Sequence, residues 1–164
     1  MSLDSTDDRS RIVTYRPALR EAFERLNRVW LEAHGLLEPA DMEYLSDPEG
    51  LIVATGGQVF FALDGEQVIG TCAAIRISES TFELAKLVVD PAAQRRGLGR
   101  RLCHIVMQFA RDAGAATMFL TSNEALTQAI RLYESLGFRH EPLPADVRYA
   151  TANVYMTLCL AGPD

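Results

Sequence analysis

The segment from residue 94 to residue 102 combines two glycines with four arginines: Gln94-Arg95-Arg96-Gly97-Leu98-Gly99-Arg100-Arg101-Leu102. Glycines let a backbone turn several N–H groups toward one point, and the start of a helix adds partial positive charge there. The arginines fit a solvated helix face equally well. In a chain of net charge -6 they also suit phosphate binding. The segment predicts a cradle for a pyrophosphate.

Two common phosphate-binding motifs do not match this segment well. A dinucleotide fingerprint would need a third glycine at position 102, which is Leu102. A Walker A loop needs Gly-Lys-Ser/Thr, whereas Lys86, the only lysine, lies between Ala85 and Leu87.

Glu83 is the second feature with chemical meaning. On a strand it shares one face with Ala85, Leu87 and Val89. A carboxylate on an apolar face has its pKa raised by burial, which suits a base near neutral pH. The alternative is that Glu83 lies at the wet end of the strand or pairs with an arginine. In a regular strand, Lys86 points to the opposite face, where it pairs with a carboxylate or binds a substrate carboxylate.

The residues that a metal site or a covalent nucleophile would require are not found in the sequence. The three histidines are far apart, no His-Glu-x-x-His occurs, and the three cysteines are scattered, so no metal site is expected. His104 is predicted to flank a helix. No Gly-x-Ser-x-Gly elbow exists, and no cysteine has a recognisable nucleophile setting. Unpaired cysteines favour a cytoplasmic location.

The elements that position these residues follow from hydrophobic periodicity. A strand over Ile12–Tyr15 precedes two helices, from Leu19 to Ala33 and from Pro39 to Leu45, and Leu51–Ala54 is ambiguous. An antiparallel meander is predicted next, over Val59–Leu63, Gln67–Ile77 and Phe82–Val89. Helices from Leu98 and Leu126 then alternate with strands at Met118–Thr121, after Phe138 and at Asn153–Leu160. The expected fold is α/β, one mixed sheet with helices on both faces.

Composition bounds the rest. The chain has 164 residues, 48% hydrophobic and 23% charged, typical of one globular domain. We expect a loose tail over residues 1–11 and one domain over 12–160. The acidic charge argues against nucleic-acid binding, and no apolar run approaches the roughly 20 residues that span a bilayer.

At Gln94-x-x-Gly97-x-Gly99, preceded by Leu87-Val88-Val89-Asp90-Pro91, the sequence resembles the acetyl-CoA signature of the GNAT N-acetyltransferases. The run from Ala129 to Phe138 resembles that family's C-terminal motif, in family order and spacing. Phe82–Lys86 and Asn27-x-x-Trp30 look most like stand-alone relatives of the acetyltransferase half of MarR-type fusions. The resemblance implies a GNAT fold and an acetyl-CoA-dependent N-acetyltransferase that uses direct attack by an amine, with no metal.

The resemblance assigns the donor-binding residues. Backbone N–H groups from Arg95 to Arg100 would cradle the pyrophosphate, with Gln94 opening the motif. Pantetheine would pair with the strand at Leu87, Val88 and Val89, and a backbone N–H there would polarise the thioester carbonyl. Many members carry an asparagine seven residues before the tyrosine. Here that place is Leu126, and Asn123 either substitutes for it or caps the helix.

Two catalytic residues are also implied. Tyr133 matches the family tyrosine whose hydroxyl faces the cofactor sulfur and protonates the departing thiolate; otherwise it is simple core. Glu83 occupies the place of the glutamate base in the histone-acetylating branch, although many members use a chain of waters instead.

The acceptor is left open. A primary amine of a small molecule or of an amino-acid-like acceptor is the leading expectation. A protein or peptide amine, or a non-catalytic acyl-CoA sensor, are the alternatives. The acceptor site is expected from the first two helices and the 139–149 loop, including Trp30, Tyr44, Arg148 and Tyr149. A homodimer is compatible with the resemblance.

Overall fold

A computed structural model describes residues 10–161. The predicted tail, residues 1–11, falls mostly outside them, although Ser10 is buried and the first strand begins at Arg11. The helices are α1 (Arg20–Ala33), α2 (Pro39–Ser46), α3 (Leu98–Asp112) and α4 (Thr127–Ser135). The strands are β1 (Arg11–Thr14), β2 (Gln58–Asp64), β3 (Gln67–Arg76), β4 (Thr81–Val89), β5 (Thr117–Ser122), β6 (Arg139–Glu141) and β7 (Val154–Cys159).

The strands form one seven-stranded sheet in the order β1-β2-β3-β4-β5-β7-β6. The predicted antiparallel meander is confirmed, because β2, β3 and β4 pair in sequence. β4 and β5 are parallel and pair only from Thr81 to Glu83 on β4 and from Thr117 to Phe119 on β5. Beyond Glu83 the edge of β4 that faces β5 is therefore open.

Two apolar cores lie on opposite faces of this sheet, as predicted. One joins α3 and α4 to the sheet through residues such as Phe82, Leu102 and Met118. The other joins α1 and α2 through Phe23, Leu45 and Phe61. The helices thus pack on both faces of the sheet and stabilise the separation of β4 from β5.

The middle of β4 is not a regular strand. Thr71 pairs with Val88 and Ala73 with Ala85, so Cys72 alone faces two residues of β4. Lys86, in this bulge, has φ 58, a left-handed conformation. The expectation that Lys86 points away from Glu83 is therefore wrong. The bulge turns Lys86 so that it lines the same cavity as Glu83.

The ambiguous apolar run at Leu51–Ala54 is a short π-helical turn, Glu49–Val53. Ile52 from this turn is fully buried against the α1 and α2 side of the sheet. The run is apolar because it covers the core, not because it forms a strand.

Candidate active site

The glycine loop points a row of backbone donors outward. Arg95 and Gly97 both have left-handed backbones, with φ 70 and 74. The Gly97 carbonyl accepts the first helical bond, from the Arg101 N–H at 3.1 Å. Within residues 10–161 the N–H groups of residues 95–100 have no acceptor. Unpaired donors at a helix start form an anion site.

This loop opens on a cavity of about 760 Å³, the loop cavity. Most of the predicted donor-binding residues line it: Leu87, Val88, Val89, Gln94, Arg95, Gly97, Leu98, Gly99 and Arg100. The Arg96 side chain is not among them, since it pairs with Asp64 at 3.6 Å. In this structure the Arg96 guanidinium lies beside Asp64, while its backbone N–H belongs to the row of free donors.

A second, narrower cavity of about 130 Å³, the central cavity, continues from the first between β4 and β5. The two share Trp30, Leu87, Val88, Leu126 and Ala129. The open edge of β4 forms one wall. The structure therefore provides a continuous path from the glycine loop to the strand edge where the resemblance places pantetheine.

Glu83 lies at the inner end of this path. It is only 7% exposed, and its carboxylate has neither a hydrogen-bond nor an ion-pair partner in the described part of the chain. Burial raises the pKa of Glu83 to about 7, against the lowering effect of the positive charges of Lys86 and Arg148. A buried carboxylate without a partner costs stability, and such groups concentrate at functional sites.

Tyr133 lines the same central cavity from α4. Its ring packs edge-on against Phe138 at 6.1 Å between centroids. Its hydroxyl makes no hydrogen bond to another group among residues 10–161, and because no fully buried side-chain polar atom there lacks a partner, the hydroxyl is open to the cavity. Burial raises the pKa of Tyr133 well above its usual value, so the hydroxyl keeps its proton at neutral pH.

A third cavity, the outer cavity, has a volume of about 330 Å³ and lies on the far side of Glu83. It shares Glu83, Thr121 and Tyr149 with the central cavity. Glu83 thus faces two spaces, one leading to the glycine loop and the other to a separate opening.

Comparison with known proteins agrees with this arrangement. The model of the acetyltransferase (GNAT) family matches residues 17–138. This chain belongs to the GNAT acetyltransferase family. N-acetyltransferase 8 of Homo sapiens is 30% identical over 101 residues, which are 58% of this chain and 44% of the relative. The chain spans about half the length of the curated relatives it matches.

Solved structures share the fold. A GNAT acetyltransferase from Staphylococcus aureus Mu50 has a TM-score of 0.85 at 19% identity, covering 93% of this chain and 99% of that one. The acetyltransferase yncA from Salmonella typhimurium, solved with its cofactor acetyl-CoA, has a TM-score of 0.71 at 25% identity, covering 94% and 98%. No helix among residues 10–161 is long and apolar enough to cross a membrane.

In this GNAT domain Lys86 and Asp41 form an ion pair across the central cavity, with side chains 7% and 4% exposed. The pairing of Lys86 with a carboxylate is thus confirmed. Lys86 also donates to the Tyr149 hydroxyl at 3.3 Å and lies 4.9 Å from that ring's centroid. The only lysine of the chain is therefore fully engaged by the protein itself.

Asn123 lines the central cavity, but its side-chain amide is already used. Its nitrogen donates to the Thr151 carbonyl at 2.8 Å, and its oxygen accepts from the Ala125 N–H at 2.9 Å. These bonds hold the loop before β7 against the start of α4. Its contact with the donor stays a prediction, and in this state Asn123 shapes the wall.

Of the four residues expected at the acceptor site, Tyr44, Arg148 and Tyr149 line the outer cavity. Trp30 does not, because it lies between the central and loop cavities. There its ring is stacked on His34, with 4.3 Å between centroids. His104 is exposed on α3, as predicted.

Sequence reasoning missed Glu38 and Asp41 as cavity residues. They form a capping box at the start of α2, each accepting from the other's backbone N–H. Glu38 also accepts from Thr151 Oγ1 at 2.6 Å and from the Ala150 N–H at 2.8 Å. Glu-Pro-x-Asp predicts the cap. Only the fold shows that the cap faces β4.

Proposed function

We propose that the chain transfers the acetyl group of acetyl-CoA directly to a primary amine of a small molecule. The observation that carries this proposal is the placement of Glu83. It is a buried carboxylate without a partner in the described chain, lying where the path from the glycine loop meets a second cavity. A carboxylate placed between donor and acceptor can take the proton that the acceptor nitrogen loses.

The residues present fit acetyl-CoA. The free N–H groups of residues 95–100 and the guanidinium groups of Arg95 and Arg100 would hold the phosphates, and the open edge of β4 at Leu87–Val89 would pair with the pantetheine arm. The bound donor supplies an activated acetyl group as a thioester. Support at the family level comes from the GNAT match.

Each catalytic side chain then has one task. Glu83 takes the proton that the acceptor nitrogen loses as the nitrogen–carbon bond forms. Its pKa of about 7 is well matched to removing that proton near neutral pH. Tyr133 donates its hydroxyl proton to the sulfur as the carbon–sulfur bond breaks. The backbone N–H groups at Val88 and Val89 are the candidates for polarising the carbonyl.

Two predictions from the sequence remain: that the protein forms a homodimer, and that it is related to the acetyltransferase halves of MarR-type fusions.

The test is release of free thiol from acetyl-CoA in the presence of single primary amines, with the product identified by mass. We expect thiol release to depend on the amine and each product to gain one acetyl group. Binding of acetyl-CoA without acetylation of any amine or peptide would favour the sensor alternative. Acetylation of peptides but not small amines would favour the protein-modifying alternative.

A further inference from the structure

The outer cavity is lined by aromatic rings and carboxylates. Its aromatic residues are Tyr44, Phe119, Tyr149 and Tyr155. Phe119 and Tyr155 lie next to each other on β5 and β7, with 5.7 Å between ring centroids. Its acidic residues are Glu83 at the inner end and Asp146 near the surface. A cavity of about 330 Å³ is in the range of small-molecule sites.

The positively charged side chains near this cavity already have partners within the protein. Arg148 pairs with Glu43 at 3.1 Å, donates to the Tyr44 hydroxyl and stacks over the Tyr44 ring at 4.8 Å. Lys86, behind Tyr149, is paired with Asp41. Arg148 is the only cation lining the outer cavity within residues 10–161, and its guanidinium is already paired with Glu43 and bonded to Tyr44.

The carboxyl groups of this cavity, in contrast, have no cation among residues 10–161 paired with them. Glu83 has no ion pair in the described chain, and Asp146 takes part in none of the described salt bridges. A carboxylic acid entering this space would meet like charge in a partly desolvated setting. A protonated amine would meet the opposite charge, and aromatic faces attract cations further.

We propose that the acceptor is an organic cation with an aromatic or other flat apolar body and no carboxylate, a primary arylalkylamine in chemical class. Its ammonium group lies toward Glu83, and its body lies against the rings of the outer cavity. Asp146 sets specificity by disfavouring acids at the opening. This proposal rests on the proposed function and narrows its acceptor.

The experiment compares matched pairs. Initial rates with phenethylamine, phenylalanine and ethylamine are measured with saturating acetyl-CoA. We expect kcat/KM for phenethylamine to exceed that for phenylalanine at least tenfold, because only the second carries a carboxylate. Ethylamine, which lacks the ring, is expected to have a higher KM than phenethylamine. Equal or better use of phenylalanine would overturn the proposal.

Charge reversal at the opening provides the second arm. Asp146→Lys is expected to raise KM for phenethylamine. The ratio of kcat/KM for phenethylamine to that for phenylalanine is expected to fall at least fivefold, while CoA affinity is unchanged. Asp112→Asn, at the end of α3 and outside all three cavities, is the control and is expected to leave both values unchanged. An unchanged preference in Asp146→Lys would overturn the role of Asp146.

Direct binding separates this proposal from the proposed function. Calorimetry with the protein and CoA is expected to show binding of phenethylamine and much weaker binding of phenylalanine. If acetyl-CoA binds but no amine is acetylated, the proposed function fails, and the binding comparison still decides the ligand class. If transfer occurs and amino acids are preferred, only the present proposal fails.

Discussion

Tyr133 and Glu83 owe their chemical character to burial. Both line the central cavity, and neither functional group has a hydrogen-bond partner in the described chain. Burial raises both pKa values, which keeps the tyrosine hydroxyl protonated and moves the carboxyl toward neutral pH. In the proposed mechanism the tyrosine hydroxyl gives a proton and the carboxylate takes one.

At Tyr133 the decisive change is to phenylalanine. Because the hydroxyl has no partner among residues 10–161, removing it breaks no hydrogen bond, and we expect the free energy of unfolding to change by less than about 1 kcal/mol. The kcat should fall about tenfold or more with CoA affinity unchanged, since the interaction is made mainly in the transition state. Urea unfolding, calorimetry and saturating kinetics measure the three quantities. An unchanged kcat would leave Tyr133 as core alone.

Residue chemistry was partly predictable. Glu83 was recognisable because a carboxylate interrupts an apolar strand face, and Tyr133 because the C-terminal run resembles a family motif. The face of the strand from which Lys86 projects could not be predicted, because the bulge arises from pairing between β3 and β4 and not from a local sequence signal. Lysine seldom adopts a left-handed backbone, so the residue type at position 86 does not predict the bulge.

Among the elements, the glycine loop is the one whose geometry can be tested alone. Gly97 has φ 74 and open space where a side chain would project. Gly97→Glu places a negative charge beside the donors of residues 95–100, so we expect loss of CoA binding by calorimetry.

Gly114 offers a matched control for that change. It also has a left-handed backbone, φ 88, and open space, but it follows the other end of α3. Gly114→Glu carries the same backbone strain and charge, so a similar loss of stability with unchanged CoA affinity is expected. Equal loss of binding in both variants would show that strain, not the anion site, explains the Gly97 result.

The ion pair between Lys86 and Asp41 joins α2 to the bulge of β4. Breaking one side of the buried Lys86–Asp41 pair leaves an unpaired charge, which costs about 3–5 kcal/mol. We therefore expect Lys86→Met and Asp41→Asn each to lower the free energy of unfolding by that amount in urea denaturation. The double variant should lose less than the sum of the two.

The exposed pair Arg20–Glu24 on α1 is the control, with side chains 39% and 25% exposed. Glu24→Gln should change stability by less than about 1 kcal/mol. Additive losses at Lys86 and Asp41 would mean that the two do not stabilise each other.

The elements themselves were largely predictable because α1, α3 and α4 each bury one apolar stripe. The Leu51–Ala54 run was not, since a short apolar segment has no period that separates a strand from a buried turn. The three connected cavities could not be predicted either. They depend on where β4 and β5 separate, which is set by packing on both faces of the sheet.

The ionisation of Glu83 makes the free energy of unfolding of the entire domain depend on pH. Its pKa is 4.5 in the unfolded chain and about 7 in the fold. The folded state therefore binds more protons between these values, and the stability that the protonated group provides is full below pH 4.5 and lost as pH rises through about 7. The loss amounts to about 3 kcal/mol.

Glu83→Gln removes this dependence. We expect the variant to gain about 3 kcal/mol relative to wild type between roughly pH 4 and pH 8, measured by urea unfolding at each pH. Glu79→Gln, in the exposed turn before β4, is the control for the same substitution at the surface. A difference for Glu83→Gln that stays constant with pH would show that its carboxyl is not held in the protonated form by burial.

The pH dependence of kcat/KM for amine acetylation, compared between wild type and Glu83→Gln, decides whether Glu83 is the proton acceptor. With Glu83 as base, wild-type activity rises with pH and levels off above about pH 7. The variant loses on the order of 10²–10⁴ in rate, most at low pH where the amine is protonated, and keeps rising toward the amine's own pKa. The same break near neutral pH in both proteins, at similar rates, would contradict Glu83 as the proton acceptor.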